Sequence, residues 1–497
     1  MTIIFSAATY LVAIIIVAAA DHSLLRRYIP SFGFISVLMY GVTYGLGLML
    51  WRSDPSSLFG YGSLSTTGAL DALLNFFSIG ILSLSASYGT CRVFLTRFQK
   101  TLPQKSLTEL SWPHRENLSN LSFLLITLSV LAISVMSVLG LFARSPAIQA
   151  QILQSSTTAK VIIGSSIISR LAPIGFFLIP FVWKQWSFSL RFLITTLLSV
   201  WQVIAISSGS RGLLISLPVY LLIGALCWQK IPLRLLLISL LASALLFLPL
   251  AEHLRVSREG DQSIPELKRA FQTFQIGKQL MGTSHEFYLA LSPTNCSADL
   301  TKKLSEDSSA AIIYGKGVKS FPDNSLARWN VVGLYDNCLN RTLGHRNFDG
   351  FHKLPLGLLP STFYKASPNL FDGQELSENL SSTLDLKPGE ISYATISLFA
   401  DSWWRWGRPG LVFGPASIGA LLAVYQSFLS WMIGNKMVIG LLAQFLVVTL
   451  ICTWINNTIL TMTWYLFWDL PKSWLELILL SIVLTHLPLR RPSVGSS

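Results

Sequence analysis

Runs of about 17–25 mostly apolar residues recur along this chain, and each is long enough to cross a bilayer as a helix. Lipid offers no hydrogen-bond partner to an exposed backbone, so a spanning segment must satisfy its own amides. Strand-like alternation is absent, which argues for helices and against a β-barrel. A chain that is 52% hydrophobic and 12% charged, with a mean hydropathy of +0.54, is far from the balance of a soluble domain. The expected fold class is an all-α polytopic membrane protein.

Eleven spans are expected, at roughly 2–20, 31–51, 67–90, 119–143, 161–183, 188–207, 211–229, 233–251, 410–433, 437–456 and 473–488. The stretch 457–470, NTILTMTWYLFWDL, is either an interfacial or re-entrant segment or an extension of the tenth span. The first run ends in VAAAD, which mimics a signal-peptide cleavage site. Its n-region, MT, lacks Lys and Arg, whereas Arg26 and Arg27 follow the run. That order favours a retained first helix with its N-terminus outside.

Assigning the loops alternately tests that orientation. One side holds Arg26, Arg27, Arg92, Arg97, Lys100, Lys105, Arg115, Lys184, Arg191, Lys230, Arg234, Lys436, Arg490 and Arg491. The short loops of the other side hold only Arg52, Arg144, Lys160, Arg211 and Lys472. The positive-inside rule therefore selects an outer N-terminus and a cytoplasmic C-terminus.

Three regions follow: a membrane bundle of helices 1–8 at 1–251, a large outer loop or cap at 252–409, and helices 9–11 at 410–497. The loop carries 17 basic and 17 acidic residues, so the chain's net charge of +13 lies in the membrane portion. There it serves orientation and contact with anionic head groups, which argues against nucleic acid as a partner. A loop of this length is expected to fold as a cap with short helices. One is expected at 263–282, with Ser263 as N-cap, Glu266 completing a capping box and Gly282 near the stop. Cys296 and Cys338 both fall in the loop, where an oxidising compartment would allow a disulfide; two unpaired thiols remain the alternative. No CxxC or HExxH spacing occurs, and no metal or cofactor is expected.

Polar residues in or beside spans are costly in lipid, and here they collect toward the outer side. Arg211 opens span seven behind the turn SSGS, which ends at Ser210. Hydroxyls, free amides and a guanidinium at a helix N-terminus suit a phosphate, although an N-cap with a snorkelling arginine accounts for the same residues. Arg170 lies about 15 Å into span five, near Pro173 and Pro180, which suggest a locally broken helix. At that depth it needs a protein partner or a bound anion. Asp71 could pair with one of these arginines, with a simple structural ion pair as the equal alternative.

Span eight leaves as LAEHLRVSREGDQS, in which Glu252, Arg255 and Arg258 or Glu259 share a helical face. Either this is a solvated face, or Arg255 and Arg258 join the anion site with His253 or Glu252 as proton acceptor. The chain re-enters through ADSWWRWGRPGLVFG, where Trp403, Trp404 and Trp406 form an interfacial belt or a sugar-stacking platform. Arg405 and Arg408 add cations there.

SSGSRGLL, a long outer loop with a Pro-punctuated segment (KLPLGLLPSTFYKASPNL) and the exit motif ADSWWRWGRPGLVFG occur in that order. Together they resemble the O-antigen and exopolysaccharide polymerases (the Wzy-like family), and more loosely the O-antigen ligases. The family's serine–glycine–arginine turn maps onto Ser210, Arg211 and Gly212, and its exit motif onto Trp406, Gly407 and Gly410. Where the family pattern has a glutamate and tyrosine ahead of NFG, this chain has Asp401 and the WWRW cluster.

The resemblance implies a GT-C-like helical bundle in the bacterial inner membrane, acting as a glycosyltransferase. It would join oligosaccharide units carried on undecaprenyl diphosphate at the periplasmic face, without a metal. On that reading Arg211 and Arg255 contact diphosphate, with Arg170, Ser210 and Arg258 in support, and Glu252 or His253 is the base. Asp401, Trp404, Arg405 and Arg408 lie toward the sugars. Implied partners are the lipid-linked oligosaccharide, a chain-length regulator and a flippase. The alternatives are ligation of finished glycan to another acceptor, transport of a lipid-linked sugar, and a scaffold. No internal repeat speaks for a transporter.

Overall fold

The computed structural model describes residues 2–26, 29–46, 67–97, 115–138, 172–207, 211–229, 398–434, 440–445 and 459–472, with single residues or pairs elsewhere. Ten helices are labelled here: α1 (Thr2–Ala20), α2 (His22–Leu25), α3 (Phe32–Tyr40), α4 (Thr67–Thr96), α5 (Arg115–Val138), α6 (Ala172–Val182), α7 (Phe188–Ser207), α8 (Arg211–Gln229), α9 (Leu398–Gly434) and α10 (Ile459–Trp464). The α3 helix continues as a π-helical turn, Gly41–Leu46, and α10 as another, Tyr465–Asp469.

No strand occurs among the described residues, and five helices are long and apolar enough to cross a membrane: Thr2–Ala20, Asp71–Thr96, Leu118–Ser137, Phe188–Ala205 and Leu398–Gly434. The α1 helix shows how such a helix is built. Its inward stripe is small or polar (Ser6, Thr9, Ala13, Val17), whereas Ile4, Phe5, Leu11, Val12 and Ile15 face outward. Close backbone approach inside and bulk outside is the pattern of helices packed within lipid. The α-helical membrane protein anticipated from hydropathy is the class these helices define.

The α1, α4 and α9 helices run parallel, with α3 antiparallel among them. Ser78 donates to Ser6 at 2.9 Å, and Gly89 faces Ile16 further along both helices. Trp403 stacks on Phe76, the Ser87 hydroxyl donates to the Ala416 carbonyl at 2.7 Å, and Arg92 reaches Ser427 and Ser430. Gly419 sits against the Leu84 carbonyl, where any Cβ would collide with it.

A second set packs around α6, whose residues 172–179 are all buried. The Ser122 hydroxyl of α5 donates to the Gly175 carbonyl at 3.0 Å, and Gly224 of α8 lies on the Phe177 carbonyl. Ser187 caps α7 by accepting the Leu190 amide, and Trp201 donates to the Leu213 carbonyl, so α7 and α8 form an antiparallel pair. Phe445 joins the two sets by stacking on Phe177 at 3.7 Å.

Three details differ from the sequence expectations. Pro180 does not break its helix, because α6 runs on through it to Val182 before a 3-10 turn. The α9 helix begins at Leu398, ahead of the expected start at 410, so the exit motif belongs to the bundle. Arg92, counted among the basic residues of the inner side, is buried beside Asp21, and the pair adds no net charge to that flank.

Candidate functional site

The α9 helix is two helical pieces joined at Gly407, whose φ of 63° and ψ of −144° are open essentially to glycine alone. Pro409 follows in the first turn of the second piece, where its missing amide costs no helical bond. The pieces fold against one another: Gly410 abuts the Ser402 carbonyl and Gly414 the Ser402 hydroxyl, leaving no room for a side chain at either. The run WGRPGLVFG is thus a sharp corner, written by its three glycines and its proline.

Inside the corner, Arg405 Nε donates to both carboxylate oxygens of Asp401 at 3.1 Å, and both side chains are wholly buried. Asp401 Oδ2 also accepts the Ile459 amide at 2.8 Å, taking up a donor of the first turn of α10. On its other side Arg405 meets a fragment of the long loop. Its carbonyl accepts the Asn347 amide at 3.0 Å, and its guanidinium carbon lies 5.3 Å from the Phe351 ring centre. Phe348, Phe351 and Trp406 pack as an aromatic cluster. Asn347 takes φ of 48°, a conformation asparagine tolerates better than most residues.

Of the exit-motif residues expected toward the sugars, Asp401, Trp404 and Arg405 are buried, and Asp401 and Arg405 pair with each other at i,i+4 spacing. Trp403 and Trp406 are half-buried against Phe76 and the loop fragment. Arg408 is exposed, the one cation of the motif presented outward.

Nearby, Asp71 is paired, but with Arg52 rather than with a span arginine: Nε–Oδ1 is 2.8 Å, and each side chain is about a third exposed. The Asp71 carboxylate, through its hydrogen bond first and its charge second, holds the Arg52 guanidinium above its ordinary pKa.

Of the expected diphosphate site, α8 does begin at Arg211, four residues after α7 ends at Ser207. Arg170, Ser210, Glu252, His253, Arg255 and Arg258 lie outside the described residues, as do Cys296, Cys338 and the expected helix 263–282. Among the described residues no three His, Cys, Asp or Glu side chains gather as metal ligands would.

Sequence reasoning missed a second buried cluster at the opposite end of the bundle. Asp21, just after α1, accepts Arg92 Nε at 2.7 Å, the Ser31 hydroxyl at 2.6 Å and the Tyr88 hydroxyl. A readable signal existed: Tyr88 and Arg92 stand at i,i+4 on α4, and Ser427 and Ser430 at i,i+3 on α9. No family model matches the chain, and neither a curated protein nor a solved structure does.

Proposed function

We propose that this membrane protein is a glycosyltransferase that polymerises oligosaccharide repeat units carried on undecaprenyl diphosphate, at the outer face of the membrane. The observation that carries the reading is the start of α8 at Arg211, within the stretch Ser210–Arg211–Gly212 onto which the polymerases' serine–glycine–arginine turn maps. The glycine corner of the exit motif, at the place the resemblance maps it, supports the same reading.

The reaction joins one unit to the next. An acceptor sugar hydroxyl attacks the anomeric carbon of the donor, the bond to the lipid diphosphate breaks, and a base takes the hydroxyl proton. Negative charge grows on the departing diphosphate. Arginines fixed in a low-dielectric site stabilise that charge without reorganising. Arg211 and Arg255 take this role, supported by Arg170, Ser210 and Arg258, with Glu252 or His253 as the base and exposed Arg408 at the rim. Asp401 and Arg405 hold the corner that presents this rim.

The test is Arg211→Ala in cells that make the polysaccharide. Normal membrane insertion with loss of long-chain polymer supports the proposal. Full-length polymer from that variant removes Arg211 from the site. Polymer that is still made but no longer attached to its final acceptor assigns the chain to ligation instead.

A further inference from the structure

We propose that Asp21 and Arg92 form a buried lock that sets the register of α9, and through it the position of the glycine corner at the far end of the bundle. Both partners are buried, at 0% and 2% side-chain exposure, and the carboxylate gathers donors from α4 and from the cap of α3. The rest of the guanidinium turns to α9: it donates to Ser427 at 3.0 Å and to Ser430 at 2.8 Å. Gln426 extends the network. Its side chain accepts the Phe32 amide at 2.9 Å, donates to Ser430 at 3.3 Å and pairs with Gln444, which donates in turn to the Pro30 carbonyl at 2.6 Å.

Apolar contacts between helices in lipid let one slide on another at little cost, because lipid is as apolar as the neighbour. Buried hydrogen bonds to a charge do not, since a displaced donor finds no water. A slip of one residue would turn α9 by about 100° and carry Ser427 and Ser430 away from the guanidinium. Along the second piece of α9 the register is inherited by Gly419 on Leu84; across the corner, where Gly410 and Gly414 pack on Ser402, it passes to the stack of Trp403 on Phe76, 6.0 Å apart, beside Asp401. Asp21 and Arg92 are on this account positioning residues.

The experiment uses the full chain in membranes with cysteines placed by Phe76→Cys and Trp403→Cys, the native cysteines replaced by serine or alanine, and a short bifunctional thiol reagent. The parent is expected to crosslink efficiently. Asp21→Ala, which strands a buried arginine, should lose most of the folded protein. The double variant Asp21→Ala/Arg92→Met has no stranded charge; it should recover the amount of inserted protein while its crosslink stays near background. Three results overturn the proposal: undiminished crosslinking in Asp21→Ala, crosslinking restored to the parent level in the double variant, or a double variant that accumulates no better than Asp21→Ala. A pair needed only for stability gives the second of these.

Discussion

Arg405 lies one helical turn after Asp401 and donates to both oxygens of its carboxylate at 3.1 Å, inside a corner from which solvent is excluded. The carboxylate also receives the Ile459 amide, so a single acid ties the first piece of α9 to the start of α10.

Removing that acid strands a buried guanidinium and an amide together. Asp401→Ala is expected to destabilise the protein by about 3–5 kcal/mol. Asp401→Ala/Arg405→Leu should cost clearly less, because no unpaired charge remains. Thermal unfolding of the purified variants in one detergent measures the difference; equal losses would mean that the pair carries no coupling.

Gly407→Ala forces a side chain into a backbone conformation that L-residues avoid, at a cost of about 1–3 kcal/mol. Gly410→Ala has ordinary dihedral freedom but drives a methyl into the Ser402 carbonyl. Both should open the corner and expose the loop fragment at Phe348 and Phe351 to limited proteolysis. An unchanged digestion pattern would count against the corner as the anchor of that fragment.

The Arg52–Asp71 pair is a third exposed on each side, so solvent and salt screen it. Arg52→Gln is expected to leave the melting temperature nearly unchanged and insensitive to added salt. This sets it apart from the two buried pairs, whose loss should be felt at any ionic strength.

Much of the membrane architecture was legible because a span is bounded by what lipid refuses. The edges 2–20, 188–207 and 211–229 coincide with α1, α7 and α8, each run being closed by polar residues or a turn. The start of α9 was not legible in the same way: an acid, three tryptophans and two arginines read as an interface, and only their three-dimensional pairing makes 398–406 part of the bundle. The Asp21 network was hidden for a different reason. Arg92 lies 71 residues from Asp21 and more than 300 from Ser427, and Asp21 itself reads as the polar end of an apolar run. The proposed anion site rests on composition and position in the sequence; at Arg211 the described structure gives the start of α8.

Reconstitution tests the central claim most directly. The purified chain, in liposomes containing undecaprenyl-diphosphate-linked oligosaccharide, is predicted to yield a ladder of products, each one repeat unit longer than the last. Free undecaprenyl diphosphate should be released with every step. A folded protein of parental thermal stability that leaves a matched lipid-linked substrate unextended, with no diphosphate released, would contradict the account.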